Sequence, residues 1–80
     1  MNLKNLLAGI TTLQPYYDNP DGYHLSAEHD QIWMRQTDKP LPPEVVQKMI
    51  DAKWFQEGAV YEDEFKAENY APEESWTAYT

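Results

Sequence analysis

The chain contains no cysteine, so neither a disulfide framework nor a thiolate metal site can compensate for a small core. A reducing cytoplasm suits such a composition. Lys and Arg together number six against fourteen Asp and Glu, and no basic stripe can be assembled to neutralise a phosphate backbone. Direct nucleic-acid binding is therefore not expected. No apolar run approaches the ~20 residues that a membrane span needs. Asn5 and Thr11–Thr12 interrupt the leucines of the N-terminus, so no secretory signal is expected either. The three glycines stand at 9, 22 and 58, too far apart to form a phosphate-cradling loop. Ser26 and Ser75 lie in no nucleophile elbow. A chain of 80 residues offers little concave space in which to desolvate a catalytic carboxylate, and the expectation is a protein that is not an enzyme.

What is abundant is aromatic and acidic. Three Trp, six Tyr and two Phe supply large side chains to a domain that buries only roughly 60% of its unfolded surface. The expectation is one domain over residues 1–80, monomeric or weakly dimeric. The acids are unevenly placed. Residues 56–80 hold seven acids and one base, whereas residues 1–55 hold seven acids and five bases. Tyr61, Phe65, Tyr70, Trp76 and Tyr79 are threaded through the acidic segment. Solvating acidic tails are poor in aromatics, so this segment should fold.

Leu3, Leu6, Leu7, Ile10 and Leu13 recur at helical spacing, with Asn2 placed to cap the helix and Pro15 biasing Gln14 out of it. Pro20-Asp21-Gly22 is a turn signal. Residues 23–27 and 31–37 read as the strands of a hairpin joined through 28–30, with Ile32 and Met34 facing the core. Pro43 begins a second helix whose face is Val45, Val46, Met49 and Ile50, closed by Trp54 and Phe55, with Gly58 marking the exit. Residues 59–71 read as an irregular loop or one helical turn anchored by Phe65 and Tyr70. Pro72 with Glu73 and Glu74 reads as a further turn. Residues 75–80 have strand composition. The fold class that follows is α+β, with two helices packed on a three-stranded antiparallel sheet. Its expected core is Leu6, Leu7, Ile10, Leu25, Ile32, Met34, Val46, Met49, Ile50 and Trp54.

Two metal readings present themselves. Placing Gly22 sixth in a calcium loop puts Asn19, Asp21 and Glu28 at ligand places, but Tyr17 stands where the first Asp belongs, Pro20 sits inside the loop and no exit helix follows. His24, Glu28, His29 and Asp30 could converge at one end of the hairpin, yet their spacing specifies no coordination geometry. Neither a metal nor a cofactor is expected.

The acidic segment is the remaining candidate. Glu62, Asp63, Glu64, Glu68, Glu73 and Glu74 are the proposed partner-binding residues, mixed with aromatics that could anchor a partner. Such a surface favours a basic partner. In extended backbone Glu62 and Glu64 would stand ~7 Å apart, within the range of neighbouring phosphates on a nucleic-acid strand. A nucleic-acid-binding groove could accept them.

Three stretches, "PYYDNPDGYHLSAEHDQIW", "PLPPEVVQKMIDAKWFQEG" and "APEESWTAY", resemble small uncharacterised acidic proteins of phages and prophages. In size, charge and lack of catalytic residues the chain is similar to anti-CRISPR proteins. That resemblance implies a non-catalytic inhibitor in the host cytoplasm, acting on a CRISPR effector subunit and blocking target DNA binding. It carries over no functional position. The alternative is an accessory or morphogenesis protein whose acidity only solvates it.

Overall fold

Asn2 caps the first helix as its position implies. Its backbone is extended, and its side-chain oxygen accepts from the Asn5 N–H at 2.8 Å. The computed structural model describes residues 1–19, 21–58 and 64–80. Helix α1 spans Leu3–Leu13. Pro15 does not turn the chain out at Gln14, which keeps helical dihedrals (φ −49°, ψ −44°). The chain tightens instead into a 3₁₀ turn over Gln14–Tyr16. That turn ends at Tyr17, which is buried and donates its hydroxyl to the Arg35 carbonyl at 2.6 Å. Burial, outweighing the opposing pull of Arg35, pushes the Tyr17 phenol up to about 12.

The hairpin forms with shorter strands than the pattern suggests. Strand β1 is Leu25–Glu28 and strand β2 is Gln31–Met34, joined through His29 and Asp30, with His29 at a left-handed φ of 56°. Leu25 pairs with Met34 and Glu28 with Gln31. Strand β3, Trp76–Tyr79, pairs with β2 in antiparallel register, Met34 opposite Trp76, to give the sheet order β1-β2-β3. The α+β architecture of two helices and a three-stranded antiparallel sheet is thus the observed one.

Helix α2 is Pro43–Asp51, with Val46 and Met49 buried. It ends well before Gly58. Lys53 takes a left-handed φ of 70°, its N–H bonds to the Ile50 carbonyl, and the Trp54 N–H bonds to the Met49 carbonyl. This is a Schellman ending built without glycine. It turns Trp54 inward beneath α1, where the indole N–H donates to the Asn5 carbonyl at 3.1 Å. Phe55 then bridges to Thr77 and covers the outer edge of β3.

The core joins Leu13, Tyr17, Met34, Leu41, Val46, Met49, Trp54, Phe55, Phe65, Trp76 and Ala78. Two residues expected in it lie outside. Leu7 is 54% exposed and Leu25 is 50% exposed. Leu7 points away from α2, because Gly9 and Leu13 form the buried face of α1. Leu25 lies on the open edge strand of the sheet. Leu6, Ile10, Ile32 and Ile50 are only partly buried and pack on the cluster's margin.

Candidate partner-binding surface

Gln56 organises the path from α2 to β3. Its side chain is buried and makes three hydrogen bonds to the returning backbone. The amide nitrogen donates to the carbonyls of Ala71 (2.8 Å) and Glu74 (3.2 Å), and the oxygen accepts from the Ala71 N–H (2.9 Å). A buried amide satisfied in this way ties two distant stretches of chain together at fixed spacing.

Aromatic packing secures the same segment. Phe65 meets Trp76 edge-on at 5.5 Å between ring centroids, and Tyr70 stacks on the same indole at 6.2 Å. The Tyr70 hydroxyl accepts from the Leu41 N–H at 2.9 Å, joining the segment to the approach of α2. The anchoring role expected of Phe65 and Tyr70 is therefore observed for residues 64–71, while residues 59–63 lie outside the described residues. Between them a 3₁₀ turn over Ala67–Asn69 is closed by Asn69, whose side chain accepts from the Lys66 N–H at 3.0 Å. Pro72, Glu73 and Glu74 form the expected turn, with the Glu74 N–H bonded to the Ala71 carbonyl.

On this support Glu64, Glu68, Glu73 and Glu74 are exposed. None of the four takes part in a salt bridge among the described residues. Glu62 and Asp63 lie outside the described residues. The ~7 Å spacing argued for Glu62 and Glu64 involves Glu62 and so lies outside the described residues as well. Glu57 belongs elsewhere: its carboxylate accepts from the Gln31 amide at 2.7 Å.

The two metal readings separate in space. His24 and His29 lie at opposite ends of β1, about 13 Å of strand apart, and do not converge. His24 stacks on Tyr17 at 4.3 Å and its Nε2 meets the Asn19 carbonyl. His29 is exposed beside Glu28. In the calcium-loop reading the first ligand place falls on Tyr17, a core residue. Asn19 turns its side-chain oxygen to the Asp21 N–H and closes a local turn. No group of three or more potential metal ligands forms among the described residues. No helix there is long and apolar enough to cross a membrane.

Sequence reading missed Gln56, since a single glutamine carries no signal that its amide will be buried. It also missed Tyr23, which is 98% exposed two residues before β1. No known protein family, curated protein or solved structure matches the chain.

Proposed function

We propose that this chain is a non-catalytic inhibitor encoded by a phage, whose acidic loop occupies a basic nucleic-acid-binding surface on a host protein. A CRISPR surveillance complex is the candidate target, its target DNA being the ligand displaced. One observation carries the binding part of this reading: four exposed carboxylates, Glu64, Glu68, Glu73 and Glu74, ride on a loop held by the Gln56 hydrogen bonds and the Trp76 aromatic packing. Residues 64–74, held in this way, lose little conformational entropy on binding, so their charges act with near-full effect. A merely solvating segment has no need of that order. The phage origin rests on the resemblance of the three sequence stretches, and the CRISPR target on the likeness to anti-CRISPR proteins in size, charge and lack of catalytic residues.

The test compares two charge reversals that alter net charge equally. One changes Glu68, Glu73 and Glu74 to Lys, and the other changes the exposed Asp18, Asp21 and Glu44 to Lys. Each is titrated against a purified CRISPR surveillance complex while target DNA binding is read at two ionic strengths. The loop variant should lose inhibition by about tenfold or more, the control far less, and inhibition by the unaltered chain should weaken with salt. Equal losses, or an affinity indifferent to salt, would leave the acidity as a solvated face.

A further inference from the structure

Strand β1 is an edge with its outward backbone groups open and a groove along each side. The Arg35 N–H bonds to the His24 carbonyl, so His24, and by alternation Ser26 and Glu28, turn their backbone groups toward β2. Leu25 and Ala27 then direct theirs outward. Natural edge strands are guarded by lysine, proline or a bulge; β1 contains none of these, and Glu28 at its end is its one charged residue. On the inner side of β1 a cavity of about 310 Å³ is lined by Ile10, Gln14, Tyr17, Leu25 and Met34. On the outer side one of about 400 Å³ is lined by Ser26, Glu28, Trp33 and Arg35, among others. Leu3 and Leu7, both exposed, fall at helical spacing on the flank of α1 that carries Ile10 and Gln14. The apolar strip thus runs from α1 to the strand edge.

We propose that a second copy of this chain covers this edge, its β1 pairing antiparallel with the first about a two-fold axis at Ser26 to make a continuous six-stranded sheet. Charge selects both occupant and register. β1 carries one acid, Glu28, at one end and has one base, Arg35, beside its other end, so a two-fold axis makes the edge complementary to itself, while the acidic loop leads into β3, at the opposite side of the sheet. Two acidic chains can therefore approach here without bringing their loops together. With Ser26 on the axis, Leu25 lies opposite Ala27 of the second copy, and each of these two pairs exchanges two ladder hydrogen bonds. His24 lies opposite Glu28 of the second copy, in a row that continues to Arg35. Arg35 is exposed and has no salt-bridge partner among the described residues. Each Glu28 is thus brought toward the end of the edge that carries Arg35 and kept well away from the other Glu28, whereas registers that set the two glutamates face to face are repulsive. The same pairing places both α1 flanks on one face beside the axis and covers their exposed leucines. An interface of this extent belongs among the weak ones, so dimerisation should depend on concentration.

Sedimentation equilibrium over a micromolar-to-millimolar concentration series tests this without any host protein, so its outcome is independent of the acidic-loop reading. The chain should shift to twice its mass as concentration rises. Ala27→Pro removes only an outward N–H and should weaken association by about tenfold or more while leaving the melting temperature near that of the parent. Glu28→Arg and Arg35→Glu should each weaken it, and the double variant should restore it. A monomer at every concentration overturns the proposal. So does unchanged association of a folded Ala27→Pro variant, or a double variant no tighter than its single parents.

Discussion

Gly9 shows how one missing side chain positions another. A Cβ built at Gly9 would stand 2.7 Å from Cδ1 of Trp54 and closer still to Nε1, inside van der Waals contact. The helix therefore carries glycine where the indole must pass beneath it and reach the Asn5 carbonyl. Helix propensity alone favours alanine there by about 1 kcal/mol. Overpacking acts the other way, by about 1–3 kcal/mol, and the indole cannot retreat because it is fully buried. Gly9→Ala should therefore lower unfolding free energy by up to ~2 kcal/mol in a denaturant melt. A rise would mean that α1 can move off Trp54. Lys53 is the complementary case, a side chain tolerated at a left-handed φ because the Schellman bonds and the buried Trp54 hold the turn.

Among the elements, the approach to β3 over residues 71–74 depends on a single side chain. Gln56 satisfies the Ala71 N–H and the carbonyls of Ala71 and Glu74. Gln56→Ala would leave these groups without partners where water has little access, at a cost of ~1–3 kcal/mol for each that stays buried. The expected result is a loss of about 2 kcal/mol or more in stability, with faster hydrogen exchange at the Ala71 amide than at core amides such as Thr77. An Ala71 amide as protected as before would show that aromatic packing alone holds the loop. If the loop is the binding surface, the same variant should weaken partner binding although no carboxylate has been removed, because ordering would then be lost on association.

For the whole molecule, the excess of negative charge is the dominant long-range term. The chain carries a formal −8 with histidine neutral, and its described residues form one Lys/Arg–carboxylate salt bridge, the exposed Lys39–Asp18 pair at 3.5 Å. Screening therefore removes much repulsion and little attraction. Thermal stability should rise as sodium chloride increases from ~0.01 M to ~0.15 M, over which the Debye length falls from ~30 Å to ~8 Å. A melting temperature that falls with salt would point to stabilising ion pairs that outweigh the repulsion.

The sequence by itself determined the parts whose causes are local. Leucine spacing and Asn2 set α1, Pro43 set the start of α2, and strand composition over 75–80 foretold the third strand and with it the sheet. Phe65 and Tyr70 were legible as anchors because large aromatics in an acidic segment have to be buried somewhere. Tertiary structure decided what depends on meetings between distant residues. Periodicity could not say which side of α1 would face Trp54, so Leu7 was read as core although it lies on the open flank. Alternation put Leu25 on the inward side of its strand, but only the strand order left that strand at the edge and the leucine half exposed. The acidic segment was visible as composition. The path of residues 71–74 came from Gln56, whose hydrogen bonds span up to eighteen residues, beyond the reach of any local pattern.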